Sequence, residues 1–305
     1  MATYQKAGST EQHEERHRSD FGSYKITPRD RKGLLITAEQ KFMRADSLGE
    51  YFAPDYEPVC EEPEQTEDDS DNTQQRPGRG GRRTGFPWPR DPKKRLAATL
   101  PIIYRWQDKM HLAEIWQKFA GQPPWVRLNQ AGLIALGLPW TEILFPQNWD
   151  KLWDDEEHHS HIHHINQVRL SLARGDVKEV PNQHTWHSER EIEANLPAKE
   201  AGVRLPHRPD GYVEFEADWT WELPLRGGTI ETIPVPRGCR AGIEVELSRK
   251  GFERLGHHVL PDLLEHYDIA LYFCFGEAYD AVVSARRDYL QTDDQRKRIR
   301  ILRLE

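Results

Sequence analysis

The first part of the chain carries apolar residues at helical spacing, followed by a shorter stretch with strand character. Spacings of three and four residues predict helices over 27–42, 46–52 and 93–110. Leu112–Phe119 and Trp125–Leu128, separated by a turn containing glycine and prolines, predict a hairpin. Two helices, a long loop, a third helix and a hairpin are the elements of a winged helix-turn-helix domain, whose third helix enters the major groove of DNA.

The rest of the chain alternates between helical and strand patterns. Further helices are predicted at Asn129–Leu136, Asp154–Gly175, His184–Leu196, Phe252–Tyr267 and Ala278–Leu290. Strands are predicted within 205–221, as a hairpin over 221–235, and at Ala241–Ser248, Ile269–Phe275 and Arg298–Leu304. The order helix, strands, helix, strand, helix, strand predicts an α+β or α/β fold with a central mixed sheet.

Composition divides the chain into segments. Residues 1–24 have almost no aliphatic side chains and predict a disordered tail. A winged helix-turn-helix-like domain is expected at 25–140, interrupted at about 57–92 by a low-complexity acidic and basic insertion. A connecting helical segment at 141–182 then leads to an α/β domain at 183–305.

The formal net charge is −8, which taken alone disfavours a nucleic-acid partner. However, eight acids fall in one run without a base: Glu57, Glu61, Glu62, Glu64, Glu67, Asp68, Asp69 and Asp71. Without that run the chain has no net formal charge, so nucleic-acid binding depends on local basic patches. We expect nucleic-acid contacts from seven such residues: Lys93, Lys94, Arg95, Arg105, Lys109, Arg208 and Arg249.

The cysteines and the apolar runs indicate the cellular compartment. Cys60, Cys239 and Cys274 leave one thiol unpaired in any disulfide scheme, which favours a reducing cytoplasm. The N-terminus has no apolar signal region, and the strongest apolar run, Ile269–Phe275, is too short to cross a bilayer. We therefore expect a soluble cytoplasmic protein with no membrane partner.

Four acids are candidates for a single site. Glu244 and Glu246 alternate with apolar residues, so they project from one face of a strand. Asp210 lies in a Pro-Asp-Gly turn, and Glu189 lies on a predicted helix. If all four converge, a hard divalent cation is the natural occupant. The plain alternatives are an edge strand with one polar face, a turn residue and a helix-surface acid.

These motifs resemble, in their order, the replication-relaxation family of plasmids and other mobile elements, and their acids resemble PD-(D/E)xK nucleases. The segments that carry the resemblance are Val126–Gly132, Asn166–Leu170, Ser188–Arg190, Pro209–Gly211 and Glu244–Lys250. The resemblance implies a restriction-endonuclease-like domain in which Glu246 stands at the usual lysine position. It implies that Asp210 and Glu244 bind Mg²⁺ or Mn²⁺ together with a backbone carbonyl beside Glu246, and that Glu189 holds metal-bound water or a second ion.

The same resemblance leaves open the role of Glu246 and the choice between Lys250 and Arg249. Glu246 acts as a base or as a further ligand, and Lys250 or Arg249 compensates for the missing lysine.

The five histidines between His158 and His164 suggest a zinc site, but no cysteine accompanies them and neighbouring helix positions point in different directions.

Three functions follow from these patterns. The first is a DNA-binding protein of a mobile element that acts as a metal-dependent endonuclease or nickase in plasmid replication or DNA relaxation. The second is a non-catalytic replication initiator or transcriptional regulator with a degenerate nuclease fold. The third is a protein-interaction subunit of a larger mobile-element assembly, working with other replication proteins.

Overall fold

A computed structural model describes residues 24–53, 88–117, 120–138, 156–196, 206–224 and 230–304. The predicted tail lies outside these residues except for Tyr24. Most of the predicted insertion and the start of the predicted connecting segment lie outside them as well.

The first part of the chain forms a helical unit with a small sheet. Its elements are α1 (Pro28–Glu39), β1 (Met43–Arg44), α2 (Ala45–Tyr51), α3 (Pro92–Asp108), β2 (Ala113–Trp116), β3 (Trp125–Leu128) and α4 (Gln130–Leu136). The three predicted helices and the hairpin are present. The short strand β1, which the sequence pattern does not reveal, pairs antiparallel with β3 and completes a three-stranded sheet in the order β1-β3-β2.

A buried aspartate links the first and third helices of this unit. Thr27 and Asp30 form a reciprocal capping box that begins α1. Asp30 is fully buried, accepts a 2.8 Å hydrogen bond from Trp106 Nε1 on α3 and forms an ion pair with Arg105. Helix α1 ends at Glu39, so Phe42 lies beyond the helix that was predicted to contain it.

The second part of the chain forms a larger mixed unit. Its helices are α5 (Glu156–Arg174), α6 (Glu189–Asn195), α7 (Phe252–Arg254), α8 (Leu260–His266), α9 (Ala278–Tyr289) and α10 (Asp293–Lys297), with a π-helical turn at Leu255–Val259. Its strands are β4 (His184–Ser188), β5 (Gly211–Phe215), β6 (Trp219–Pro224), β7 (Ile230–Val235), β8 (Arg240–Glu246), β9 (Ile269–Cys274) and β10 (Ile299–Arg303). The fold is therefore mixed α+β, as the sequence predicts.

The five-stranded sheet has the order β10-β9-β8-β5-β4, and β6 and β7 form a separate hairpin. Strands β4, β5 and β8 pair antiparallel, whereas β8, β9 and β10 pair parallel. One prediction is wrong here. Residues 184–188 form strand β4, and only the residues from Glu189 onward are helical. Strand β8 is the central strand of the sheet, which excludes the edge-strand alternative.

Helices cover both faces of this sheet. Val168 and Leu172 of α5 pack with Val213, Val245 and Phe273 on one face. The π-helical turn, α8 and α9 cover the other face with a second apolar cluster. The register places Glu244 beside Tyr272 and Glu246 beside Cys274 on this second face. Charged side chains on the central strand are thereby enclosed between sheet and helices.

Helix α5 also joins the two units. Asn166 is fully buried and donates a 3.1 Å hydrogen bond to the backbone oxygen of Phe42. Gln167 donates to Ser47 Oγ at 3.0 Å, and Arg174 pairs with Glu50 at 2.7 Å. From residue 156 onward, the predicted connecting segment thus consists mainly of one helix that packs on both units.

Candidate functional site: a buried carboxylate cluster on the central strand

Two carboxylates project from the middle of the sheet. Glu244 and Glu246 on β8 are only 2% and 3% exposed. A single polar face on an edge strand would leave them in water, so the observed burial excludes that alternative. Burial raises the pKa of Glu244, and the neighbouring Asp210 adds to the effect against His207 and Lys250. Burial also raises the pKa of Glu246, with Lys250 opposing it.

Asp210 reaches the same strand from the turn that precedes β5. Its backbone N–H donates to the oxygen of Ile243 at 3.0 Å, and its Oδ2 accepts a 2.7 Å hydrogen bond from the N–H of Val245. The next residue, Gly211, has no room for a side chain, because a Cβ there would lie 2.6 Å from the Trp186 ring and 2.9 Å from a backbone oxygen. The Pro-Asp-Gly turn therefore fixes Asp210 against the strand that carries both glutamates.

Lys250 is the cation nearest to the two glutamates. Its Nζ lies 2.6 Å from Glu246 Oε2 and 3.8 Å from Glu244 Oε2. Burial lowers the pKa of Lys250, but Glu244 and Glu246 outweigh it, so the pKa lies above its ordinary value. The ammonium group thus remains charged and bridges the two acids from a position beyond the strand end.

Two histidines that the sequence analysis did not assign to the site contact the remaining oxygens. His161 on α5 places Nε2 3.4 Å from Asp210 Oδ2 and 2.9 Å from the carbonyl oxygen of Val245. His207 places Nε2 2.6 Å from Glu244 Oε1, while its backbone N–H donates to Asp262 at 2.8 Å. The sequence indicates His161 only as one member of the histidine cluster, and the spacing does not distinguish it from the other members as a residue of this site.

Electrostatic coupling ties His161 to Asp210. Burial lowers the pKa of His161, but Asp210 outweighs it and raises the pKa to about 9. Burial raises the pKa of Asp210, but His161 and the Val245 N–H outweigh it, so the pKa of this carboxyl stays below its ordinary value. At neutral pH this part of the site is therefore an imidazolium next to a carboxylate.

The other histidines of the cluster face elsewhere. The ring of His159 is buried against Phe42 and Trp125. His164 Nδ1 donates to the oxygen of Ser160 on its own helix at 2.7 Å. The side chain of His158 lies outside the described residues.

Glu189 is engaged in a different set of contacts. One of its oxygens pairs with Lys41 of the first unit, and the other lies 2.7 Å from Arg208. Burial raises the pKa of Glu189, but Lys41 and Arg208 outweigh it and the pKa lies below its ordinary value. Glu244 and Glu246 share Lys250, and Asp210 is bonded to the backbone between them. The Glu189 carboxylate instead pairs with two other basic side chains.

Mg²⁺ and Mn²⁺ are the ions to which the donor atoms of this cluster are best compared. Three carboxylates and a backbone carbonyl are the hard oxygen donors that these ions prefer. Beside them, the fully buried Tyr272 hydroxyl has no hydrogen-bond partner among the described residues. Within that part of the chain, however, no three His, Cys, Asp or Glu side chains are arranged to hold a metal ion. The donor atoms are of the kind that a divalent cation binds, but Lys250 and His161 already contact carboxylate oxygens that the cation would use.

The basic residues expected to contact nucleic acid divide into two groups. Lys93, Lys94, Lys109 and Arg249 are exposed. The other three make intramolecular contacts: Arg95 with the oxygen of Arg90, Arg105 with Asp30, and Arg208 with Glu189 and Glu193. The exposed lysines lie at the two ends of α3.

Among the described residues, no helix combines the length and the apolar character needed to cross a membrane. Comparisons of the chain with protein families, with curated proteins and with solved structures find no match.

Proposed function

We propose that this protein binds DNA through its first unit and hydrolyses a phosphodiester bond at the carboxylate cluster of its second unit. The observation that carries the proposal is the attachment of Asp210 to Val245, which gathers Asp210, Glu244 and Glu246 around Lys250. The resemblance to PD-(D/E)xK nucleases implies a helix with a glutamate, then strands with the other acids, then a helix and a further strand. The chain has this order in α6, β5, β8, α7 to α8 and β9, with the β6–β7 hairpin between β5 and β8. The mobile-element setting rests on the resemblance of the motifs.

The first unit supports DNA binding by its order of elements. The order α1, β1, α2, α3, β2, β3 is the one expected of a winged helix-turn-helix domain, in which α3 would be the recognition helix. Lys93 and Lys94 are exposed in its first turn, where the helix dipole adds to their positive charge. Phosphate groups are the partners that such a helix end favours.

The chain's own residues have distinct tasks in the proposed reaction. Lys250 remains charged and offsets the Glu244 and Glu246 carboxylates, and His207 Nε2 contacts Glu244 Oε1 at 2.6 Å. Asp210 accepts the hydrogen bond of the Val245 N–H and is thereby fixed beside the strand. Mg²⁺ or Mn²⁺ is the proposed cofactor, and Asp210, Glu244 and Glu246 would hold it. When bound, such an ion supplies positive charge to the scissile phosphate.

A second function is favoured by one observation. The three acids contact Lys250, His161 and His207, so each carboxylate already has a polar partner from the chain itself. A DNA-binding replication initiator or regulator with a non-catalytic nuclease fold would have such a cluster. In that case DNA binding would depend on the exposed lysines and not on the acids.

Nicking of supercoiled plasmid distinguishes the two functions. The wild-type protein with Mg²⁺ or Mn²⁺ is expected to convert supercoiled DNA to the open-circle form, and Asp210→Asn is expected not to. Glu193→Gln serves as a control because Glu193 is half-exposed and pairs only with Arg208 among the described residues. Binding without nicking by the wild type would establish the non-catalytic function, and equal nicking by Asp210→Asn would place the chemistry elsewhere.

A further inference from the structure

His161 makes an unusual pair of contacts at the carboxylate cluster. Its Nε2 lies 2.9 Å from the carbonyl oxygen of Val245 and 3.4 Å from Asp210 Oδ2. A carbonyl oxygen only accepts hydrogen bonds, so Nε2 must carry a hydrogen and donate it. The ring therefore presents a donor, not a lone pair, to the two oxygens.

We propose that His161 sets the affinity of this cluster for divalent cations by occupying the position that a cation would take between Asp210 and the Val245 carbonyl. The inference rests on the proposed function, because it concerns the cation of the same site. A carboxylate and a carbonyl that converge on one N–H group are close enough to converge on one ion. A protonated ring nitrogen cannot act as a ligand, so the ion must displace the ring.

The surroundings of His161 allow this displacement. The side chain is 34% exposed and projects from α5, so it is able to swing toward solvent without unfolding the sheet. Asp210 remains in place when the ring leaves, because the N–H of Val245 and the oxygen of Ile243 hold it independently. Removing the imidazole is thus expected to free oxygen donors without moving them.

His161 and Lys250 contact different carboxylates of the cluster. Lys250 contacts Glu246 and Glu244, whereas His161 contacts Asp210. Among the described residues, His161 is the side chain that contacts both Asp210 and the Val245 carbonyl, so its removal tests the inference.

The experiment is a titration of the full chain with Mn²⁺, without DNA, in which electron paramagnetic resonance reports the free ion. His161→Ala is expected to bind one Mn²⁺ at least about 10-fold more tightly than the wild type, because the ion no longer competes with a hydrogen-bond donor. His161→Gln keeps a side-chain donor of similar reach and is expected to stay near the wild-type affinity. His164→Ala is the matched control, since the ring nitrogen of His164 contacts its own helix at Ser160.

The variants also identify which claim fails. Tighter binding by His161→Ala that is lost in His161→Ala/Asp210→Asn supports the inference, even if no variant nicks DNA. Equal or weaker Mn²⁺ binding by His161→Ala overturns it, because His161 then either has no effect on the ion or binds it as a ligand. Absence of Mn²⁺ binding in every variant overturns it as well. Circular dichroism of each variant confirms that the compared proteins are folded.

Discussion

The N–H of Val245 donates a 2.7 Å hydrogen bond to Asp210 Oδ2. Val245 stands between Glu244 and Glu246, so this bond fixes an acid from a turn against the strand segment that carries two others. Residues separated by more than 30 positions in sequence thereby share one electrostatic environment. The account of this protein depends on that connection.

Glu189 is expected to stabilise the contact between the units and not to take part in hydrolysis. It pairs with Lys41 and Arg208, so Glu189→Gln removes the counter-charge of Lys41 and leaves Arg208 with Glu193. We predict a fall in the free energy of unfolding of about 1–3 kcal/mol, with nicking changed by less than about 3-fold. Urea denaturation measures the first effect. The control Glu193→Gln should cost about 0–1 kcal/mol, because its pair with Arg208 is more exposed.

Asp30 is expected to be the most sensitive polar position of the first unit. It is fully buried and receives hydrogen bonds from Thr27 and Trp106 beside an ion pair with Arg105. Asp30→Ala should lower the free energy of unfolding by about 1–3 kcal/mol, since a buried indole N–H and a partly exposed guanidinium lose their acceptor. The exposed Asp108→Asn provides the matched control. A loss no larger than that of the control would contradict the assigned role.

His163 is expected to make the protein less stable in acid. Burial, assisted by Arg44, lowers its pKa to about 4. The unfolded chain takes up this proton near its ordinary pKa of about 6.5 and the folded chain does not, so stability falls as the pH drops from about 6.5 toward 4. The loss attributable to this residue is ~2 kcal/mol at about pH 5 relative to about pH 8.

Urea denaturation of the wild type and of His163→Gln at both pH values isolates the contribution of His163. The other titrating groups are common to the two proteins, so the difference between them should shrink by that amount in acid. A constant difference across the range would show that His163 has the same pKa in the folded and unfolded states.

Lys93 and Lys94 are expected to supply phosphate contacts. The double change Lys93→Glu/Lys94→Glu should weaken duplex binding roughly 10-fold and flatten the salt dependence of log Kobs by about 2 units. Fluorescence anisotropy at several salt concentrations measures both. Arg287→Glu, an exposed charge reversal on α9 where Arg287 pairs with Asp288, should change neither value. An unaltered salt dependence in the double variant would remove α3 from the interface.

Local sequence patterns predicted most of the helices and strands but not all of them. The cap at Thr27 and the apolar run at Ile269–Cys274 each carry a signal within a few residues. His184–Ser188 looked helical because its pairing with β5 is a long-range property that the local pattern does not contain. The two-residue strand β1 is too short to produce any periodicity.

The candidate site was predicted in part for the same reason. Alternation along one strand correctly placed Glu244 and Glu246 on the same face, and the Pro-Asp-Gly turn identified Asp210. The contacts of His161 and His207 depend on how α5 and the turn before β5 pack on the sheet. Nor does the sequence specify that Lys41 and Arg208 neutralise Glu189, because the first pairing joins separate units and the second depends on how the turn before β5 packs.

The most direct measurement of the central claim is the plasmid-nicking rate of Asp210→Asn, of Glu244→Gln and of the double variant. Side chains that act as one site are not additive, since the first loss already disables the site. Each single change should lower the rate by at least about 100-fold, and the double variant should be no slower than the slower single variant. Single changes without effect, or losses that multiply in the double variant, would contradict a single site formed by these acids.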